Sequence, residues 1–354
     1  MSQPSGPVSP LPPAGKWPVE GLEPVSACPA CGATDRRLLH AELHDEAFRV
    51  APGAWTLWAC GRCGSAYLDP RPTRDTIGRA YARYYTHEEA APARASAGRE
   101  SGLKARLAAG YRNARFGTDL RPALSIGALV GRLDRRAVRA LELQYRFLPK
   151  REGTARVLDV GCGNGAWLSR AAELGWEPHG LDFDGHAVDQ ARRSGFEVVE
   201  GGLDKVLERR QWYDAVTLSH VIEHLHDPAE ALAEVLHLLA PGGMLFLETP
   251  NVNSLAHRLY GRHWRGLEPP RHIQIFSRNG LRKLLGRLGY TRVRSHRVGS
   301  PFQDMARQSA MLAQGLDPGT TGASWSRPTR PNRLRAAFDP RVAEILVLTA
   351  EKPR

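Results

Sequence analysis

The sequence predicts an α/β protein whose C-terminal part is a doubly wound sheet, preceded by a small cysteine-stapled unit and a helical stretch. Three observations carry this expectation. From Arg156 onward, apolar runs suited to strands alternate with helical segments. The first of these runs ends in a glycine-rich turn, Gly161-Cys-Gly163-Asn-Gly165, that opens a helix. Two Cys-x-x-Cys pairs, Cys28/Cys31 and Cys60/Cys63, lie upstream with the spacing of metal ligands.

Taken in order, residues 1–22 are rich in Pro, Ser and Gly and bury too little to offset the entropy of ordering, so a disordered tail is expected. Between 23 and 72 the cysteine pairs bracket short polar and aromatic runs such as AWTLWAC, which suit the strands of a metal-stapled unit. Residues 73–150 hold Tyr81, Tyr84, Tyr85 and two Arg-studded stretches of helical spacing, LKARLAAGYRNARF and VGRLDRRAVRALELQYRFL, read as a helical cap. In 151–354, RVLDV, EPHGLDF, FEVVE, DAVTLSH and GMLFLET give five strands, and TRVRSHRV and AEILVLTA two more. Asp227 and Pro228 are placed to open a helix that runs to Pro241-Gly242. Ser277 is placed to cap a helix that Gly289 ends. The stretch 301–340 separates the last two strands and includes RPTRPNR, so a mobile loop or substrate lid is expected there.

With 354 residues, 42% of them hydrophobic, the chain can fill a substantial core. No run approaches the roughly 18 apolar residues of a membrane span, and the opening residues have neither the basic start nor the apolar stretch of a secretory leader. A cytoplasmic location is expected, peripheral to a membrane if the substrate is membrane-borne. The net charge of +12 is concentrated in 92–150, with thirteen basic and four acidic residues, and in 256–297, with eleven and one. Such a surface attracts a phosphorylated or carboxylated substrate, an anionic lipid surface or RNA; a merely solvated Arg-rich face is the alternative.

The glycine turn has two readings. Gly161, Gly163 and Ala166, with Asp182 following Gly161 by 21 residues, satisfy the dinucleotide fingerprint loosely, with Asp182 on an NAD ribose. Asp159, inside the strand, argues the other way. A carboxylate beside a pyrophosphate is repulsive, but it suits the ammonium of a methionine moiety. With Asp159 included, LDVGCGNG closely resembles motif I of class I S-adenosylmethionine (SAM) dependent methyltransferases. The resemblance implies a Rossmann-like seven-stranded sheet, with Asp159, Gly161 and Gly163 lining the methionine end of SAM. It also implies Asp182 on the ribose hydroxyls, Phe183 against adenine, and backbone contacts at Gly202 and Leu203. Cys162 reads as a small packing residue.

Downstream, DAVTLSHVIEHLHDP looks like the segment shared by 3-demethylubiquinol O-methyltransferases and methyltransferases of glycans and natural products, and ETPN and WRGLEPPRHIQIFS resemble the same group. This implies that His220 lies beside the cofactor and that His220, His224 and His272 face the acceptor as candidate bases. The implied acceptor is a small molecule, a saccharide, lipid-linked intermediate or natural-product scaffold, with O-methylation favoured. If that acceptor is anionic, Arg265 and Arg271 are expected to touch it. HVIEH also resembles the ExxEH segment with which small-RNA 3′-terminal methyltransferases hold a divalent ion. His220, Glu223, His224 and His272 are therefore a candidate second metal site, with His at the first position favouring a softer ion than magnesium.

Four thiolates in two knuckles suit tetrahedral zinc with no open coordination position, hence a structural ion held by Cys28, Cys31, Cys60 and Cys63. The cysteine unit resembles ribbons that precede methyltransferase domains in glycan and metabolite pathways, where it would brace the cap. The competing readings are an RNA methyltransferase, an NAD-binding oxidoreductase and a non-catalytic ribbon interaction protein.

Overall fold

The computed structural model describes residues 15–81, 102–129, 134–150, 153–297, 302–318, 325 and 327–354. At the N-terminal end, β1 (Leu22–Glu23) is followed by β2 (Arg36–Leu43), β3 (Trp55–Cys60), β4 (Ala66–Leu68) and β5 (Arg71–Pro72). β2, β3 and β4 form an antiparallel meander, and β1 pairs with β5. Order begins earlier than the expected tail end at residue 22. Trp17 is buried, sits edge-on to Trp55 with ring centroids 5.4 Å apart, and donates its indole N–H to the Gly21 carbonyl at 3.2 Å. A large ring with a satisfied N–H gains enough by burial to hold its segment. The remainder of the expected tail, 1–14, lies outside the described residues.

Two helices follow, α1 (Leu103–Phe116) and α2 (Arg135–Gln144). They face each other through Phe116 against Tyr145 and an Arg115–Glu142 ion pair at 2.7 Å. Tyr84 and Tyr85 lie outside the described residues.

The remaining strands are β6 (Ala155–Val160), β7 (Trp176–Asp182), β8 (Glu197–Glu200), β9 (Tyr213–Ser219), β10 (Leu239–Pro250), β11 (Gln274–Ile275), β12 (Thr291–Ser295) and β13 (Ile345–Glu351). Seven of them form one sheet in the order β12-β13-β10-β9-β6-β7-β8. β10, β9, β6, β7 and β8 run parallel, and β13 is antiparallel to both its neighbours. The order reverses between β6 and β9, and in doubly wound sheets the crevice at that switch point receives the ligand. Val157, Leu158, Val216, Leu218 and Leu247 are fully buried, as strands covered on both faces require.

The helices of this half are α3 (Ala166–Glu173), α4 (Gly185–Arg193), α5 (Pro228–Leu238), α6 (Leu255–Tyr260), α7 (Arg278–Arg287), α8 (Phe302–Ala313) and α9 (Arg330–Phe338). The Asp227 side chain accepts from Glu230 N at 2.8 Å at the start of α5, and Ser277 Oγ accepts from Gly280 N at 2.9 Å at the start of α7. α5 is shorter than expected because Leu239 already pairs with Tyr213 of β9, so 239–242 belong to the strand. The expected loop or lid at 301–340 is instead largely helical. α8 buries Phe302, Ala306, Ser309 and Met311, an amphipathic pattern that docks it onto α6. Residues 319–324 and 326 lie outside the described residues.

The boundary drawn at residue 72 is crossed by a sheet. β11 pairs with β4, Gln274 opposite Tyr67 and Ile275 opposite Ala66, completing a four-stranded sheet β11-β4-β3-β2. The cysteine unit leans on the substrate-side segment and α7, and also on the first residues of the expected cap, where Ile77, Ala80 and Tyr81 pack with Trp55, Leu57 and Leu68. Ser277 Oγ donates to the Cys63 carbonyl at 2.6 Å, and Arg287 donates to the carbonyls of Ala30 at 2.7 Å and Cys31 at 3.1 Å. So small a unit has too little interior of its own, and its cysteines share one apolar cluster with Phe276, Leu281, Leu284 and Leu285.

Candidate active site

The glycine turn leaves β6 and enters α3. Gly161 has φ +72°, and a Cβ there would stand 2.5 Å from Val221 Cγ2; Gly163 has φ +53°. The turn following β6 and the His220–His224 turn following β9 are therefore in contact. Asp182, at the end of β7, accepts from Gly163 N at 2.8 Å on one oxygen and from Asp184 N at 2.9 Å on the other. Each carboxylate oxygen accepts two hydrogen bonds, so this arrangement leaves capacity for two hydroxyls. Burial raises Asp182 above the ordinary carboxylate value, and the two amides oppose it. Phe183 is 76% exposed and its ring edge lies 3.1 Å from the Cβ position of Gly202, with Leu203 buried beneath. An apolar ring beside a side-chain-free backbone makes a slot for a flat heterocycle. Cys162 is buried, and burial with Asp159 and Asp182 pushes its thiol up, leaving it a protonated packing group.

Asp159 lies within β6, two residues ahead of Gly161. It is buried, and one oxygen takes a charge-assisted bond from Arg146 and a 2.8 Å bond from the Thr217 hydroxyl. A buried carboxylate must be compensated from within, and here Arg146 does so. Burial still holds Asp159 above its ordinary value, with Arg146 opposing. The guanidinium of Arg146 also bonds Thr217 at 2.7 Å and lies 4.0 Å over the Trp167 ring. Both Arg146 and Phe147 have positive φ, a conformation that costs non-glycine residues energy and that tertiary contacts must impose. Sequence reasoning missed Arg146, which stands among many other arginines.

His220 has φ +55° and a half-exposed side chain, and its amide donates to the Glu248 carbonyl at 2.8 Å across β10. Its Nδ1 is 3.3 Å from Glu223 and its Nε2 3.9 Å from Glu248. Burial opposes the charged form, but Glu223, Glu248 and Glu268 outweigh it and His220 is pushed up to about 9. Glu223 is completely buried and accepts from the Thr249 hydroxyl at 2.9 Å. Despite its burial, His220, His224 and His272 bring it down to about 2.

Beneath these lie His224 and His272, rings 4.9 Å apart. His224 Nδ1 is 3.0 Å from both the Tyr81 hydroxyl and the Arg271 carbonyl, and His272 Nδ1 is 2.9 Å from the Gly266 carbonyl. A carbonyl can only accept, so each Nδ1 carries the proton and each Nε2 keeps its lone pair. Glu223, His224 and His272 offer ligand atoms within 4.8 Å of one another, and the buried Glu223 Oε1 has His220 Nδ1 beside it at 3.3 Å. Burial, with His224 opposing charge, lowers His272 to about 4.

The segment 264–277, expected to face the substrate, is buried nearly throughout because it supplies β11 and the floor beneath His224. Arg265 and Arg271 accordingly do not face an anionic acceptor. Arg271 is fully buried, ion-paired to Asp45 and donating to the Ala80 carbonyl at 2.8 Å; Arg265 is buried against Glu268.

The four cysteines do converge. Cys28 Sγ lies 3.6 Å from Cys63 Sγ and Cys31 Sγ 3.5 Å from Cys60 Sγ, and all four sulfurs lie within 4.8 Å of one another. A cleft of about 830 Å³ between α1 and residues 119–125 contains none of the predicted site residues. No helix among the described residues is long and apolar enough to cross a membrane.

The family model described as a methyltransferase domain matches residues 132–295. That match starts ahead of the boundary drawn at 151 and takes in α2, the helix leading to Arg146. The chain is 35% identical over 130 residues to a ubiquinone biosynthesis O-methyltransferase of Xanthomonas axonopodis pv. citri, covering 35% of this chain and 54% of that protein. It is 33% identical over 105 residues to the corresponding protein of Shewanella sp. ANA-3, covering 28% and 44%. The chain thus spans about half the length of the curated relatives it matches. A SAM-dependent methyltransferase of Archaeoglobus fulgidus overlays with TM-score 0.42 at 22% identity, covering 63% of this chain and 98% of that one.

Proposed function

We infer that residues 132–295, which match the model of a methyltransferase domain, form a class I SAM-dependent methyltransferase domain. From that premise we propose that the chain transfers a methyl group from SAM to a hydroxyl of a small molecule held at the His220–His224 turn. The observation that carries this reading is the contact between Gly161 and Val221, which makes the cofactor turn and the histidine turn two walls of one cleft. The curated relatives are O-methyltransferases of ubiquinone biosynthesis, which supports oxygen as the acceptor atom.

The residues present fit SAM. Arg146, anchored by Asp159 and Thr217, offers its remaining guanidinium donors to the methionine carboxylate; Asp182 accepts from the ribose hydroxyls; Phe183 and Gly202 flank adenine. When bound, SAM supplies an electrophilic methyl group. The protein's own work is to align an acceptor oxygen and hold its proton. His220 is the most exposed ionisable group of the cluster, and we assign it to contact the acceptor hydroxyl, with Glu223 and Glu248 orienting its ring. Zinc is the ion we assign to the cysteines, since bonds of about 2.3 Å in a tetrahedron set sulfur spacings near 3.8 Å, close to those observed. Its role is to brace α7 and β11.

A second reading of the same cluster has its own support: two Nε2 lone pairs and the buried Glu223 carboxylate converge as a two-histidine, one-carboxylate set whose Nδ1 protons are tied to carbonyls. We propose a divalent ion as its occupant. Calorimetry with SAM and with NAD, followed by transfer of label from SAM into a lysate, tests the main reading; binding of NAD without SAM would sink it. His220→Gln should lower kcat by about two orders of magnitude or more with SAM affinity unchanged, the loss growing as pH rises toward about 9, where the imidazole becomes neutral and can take a proton. Manganese titration of the zinc-loaded protein tests the second reading, which fails if Glu223→Gln binds the ion as well as the parent does.

A further inference from the structure

The strongly basic stretch 256–297 is not absorbed by the cofactor cleft, and the structure shows where part of its charge goes. A cleft of about 410 Å³ opens between the last turn of α6, the first turns of α7 and the segment ahead of β13. Arg258, Arg278, Arg282 and Arg341 line it together with Asn253, Asn279 and Cys63, and no carboxylate among the described residues does. Arg341 is paired outward with Asp339 at 3.0 and 3.1 Å. Arg278 and Arg282 stand four residues apart on one helix face, a like-charge spacing that destabilises a helix in isolation. Burial holds Arg278 below its ordinary value; Asp339 opposes this, and Arg282 and Arg297 reinforce it.

The cleft and the active site share one strand end, that of β10. Asn251, on its wall, is two residues beyond Thr249, whose hydroxyl bonds Glu223, so the cleft lies on the same carboxyl edge of the sheet as the His220 turn. Its volume falls within the range of small-molecule sites. Guanidinium forks on two elements, Arg258 of α6 and Arg278 and Arg282 of α7, match the geometry of phosphoryl oxygens, with Arg282 also donating to the Val293 carbonyl at 3.1 Å.

We propose that this cleft holds a diphosphate group carried by the methyl acceptor, as in a nucleoside diphosphate ester. The proposal rests on the methyl-transfer reading for the word acceptor, but the cleft itself can be tested without turnover. Arg258 and Arg282 are both exposed, so Arg258→Ala/Arg282→Ala removes charge without opening the core.

Calorimetry with pyrophosphate and with uridine diphosphate should show binding to the parent and affinity weaker by about tenfold or more in the double variant. SAM affinity should stay within about twofold, which reports an intact fold. Equal pyrophosphate affinity in both proteins, or none in the parent, overturns the proposal. So does arginine-dependent binding to phosphatidylglycerol vesicles lacking any diphosphate, or to a short RNA, at concentrations where pyrophosphate does not bind. Failure of SAM to bind the parent would sink the methyl-transfer reading while leaving the pyrophosphate result standing.

Discussion

The two walls of the cleft are built in opposite ways. The cofactor wall comes from short consecutive pieces: Gly161 and Gly163 in one turn, Asp182 and Phe183 at the end of the next strand, Gly202 and Leu203 after the one following. Most of its ligand-facing groups are backbone or singly placed side chains at strand ends. The acceptor wall draws Asp45, Tyr81, His220–His224, Glu248 and 265–272 from across the chain into one buried ionic network. The first wall is a set of local turns, so change there should alter binding and leave the fold standing. In the second, charges compensate one another in the interior, so change there should reach the fold itself.

The most severe test of that contrast is Arg271→Ala. It strands the buried Asp45 carboxylate and should lower unfolding free energy by about 3–5 kcal/mol, read by denaturant titration. A loss confined to the acceptor KM would break the comparison. Next comes Glu344, fully buried against Ala256 N and the Trp264 indole, which burial pushes up to about 7. Its folded value is above the unfolded one, so its stability is full below about pH 4.5 and is lost as pH rises through 7. The shift corresponds to about 3 kcal/mol, and Glu344→Gln should flatten the stability difference between pH 5 and 8 by up to that amount.

On the cofactor wall, Asp182→Ala should weaken SAM by about thirtyfold through the lost ribose bonds, with far-UV circular dichroism unchanged. Phe183→Ala should cost the least, about fivefold in SAM affinity and no measurable Tm change, because the ring is exposed in the free protein. A Tm drop for Phe183→Ala matching that of Arg271→Ala would remove the distinction between the walls.

The same difference explains what could be read from the residues. The buried strands of the main sheet were legible as short apolar runs bounded by turn residues, β12 (TRVRS) only by its place after the Gly289 helix stop, and Asp227 and Ser277 announced their helices by cap chemistry. The α8 segment was misjudged because the Pro-rich RPTRPNR nearby outweighed the helical spacing of Phe302, Ala306 and Ser309. Arg146 gave no signal, since left-handed backbone at a non-glycine residue is set by what surrounds it. The inward turn of Arg265 and Arg271 was also illegible. Arginine in a polar loop looks the same whether it meets solvent or a carboxylate such as Asp45 contributed from far upstream.

The pairing of β11 with β4 bears on how the chain is made. Synthesis delivers the four cysteines early, but the partner of the strand after them is Gln274-Ile275, and the side chain closing over Cys31 comes from Arg287, 256 residues later. A nascent chain can therefore gather its thiols long before the surrounding sheet can be completed. Through that interval the apolar backs of the knuckles wait uncovered for a docking event of high contact order.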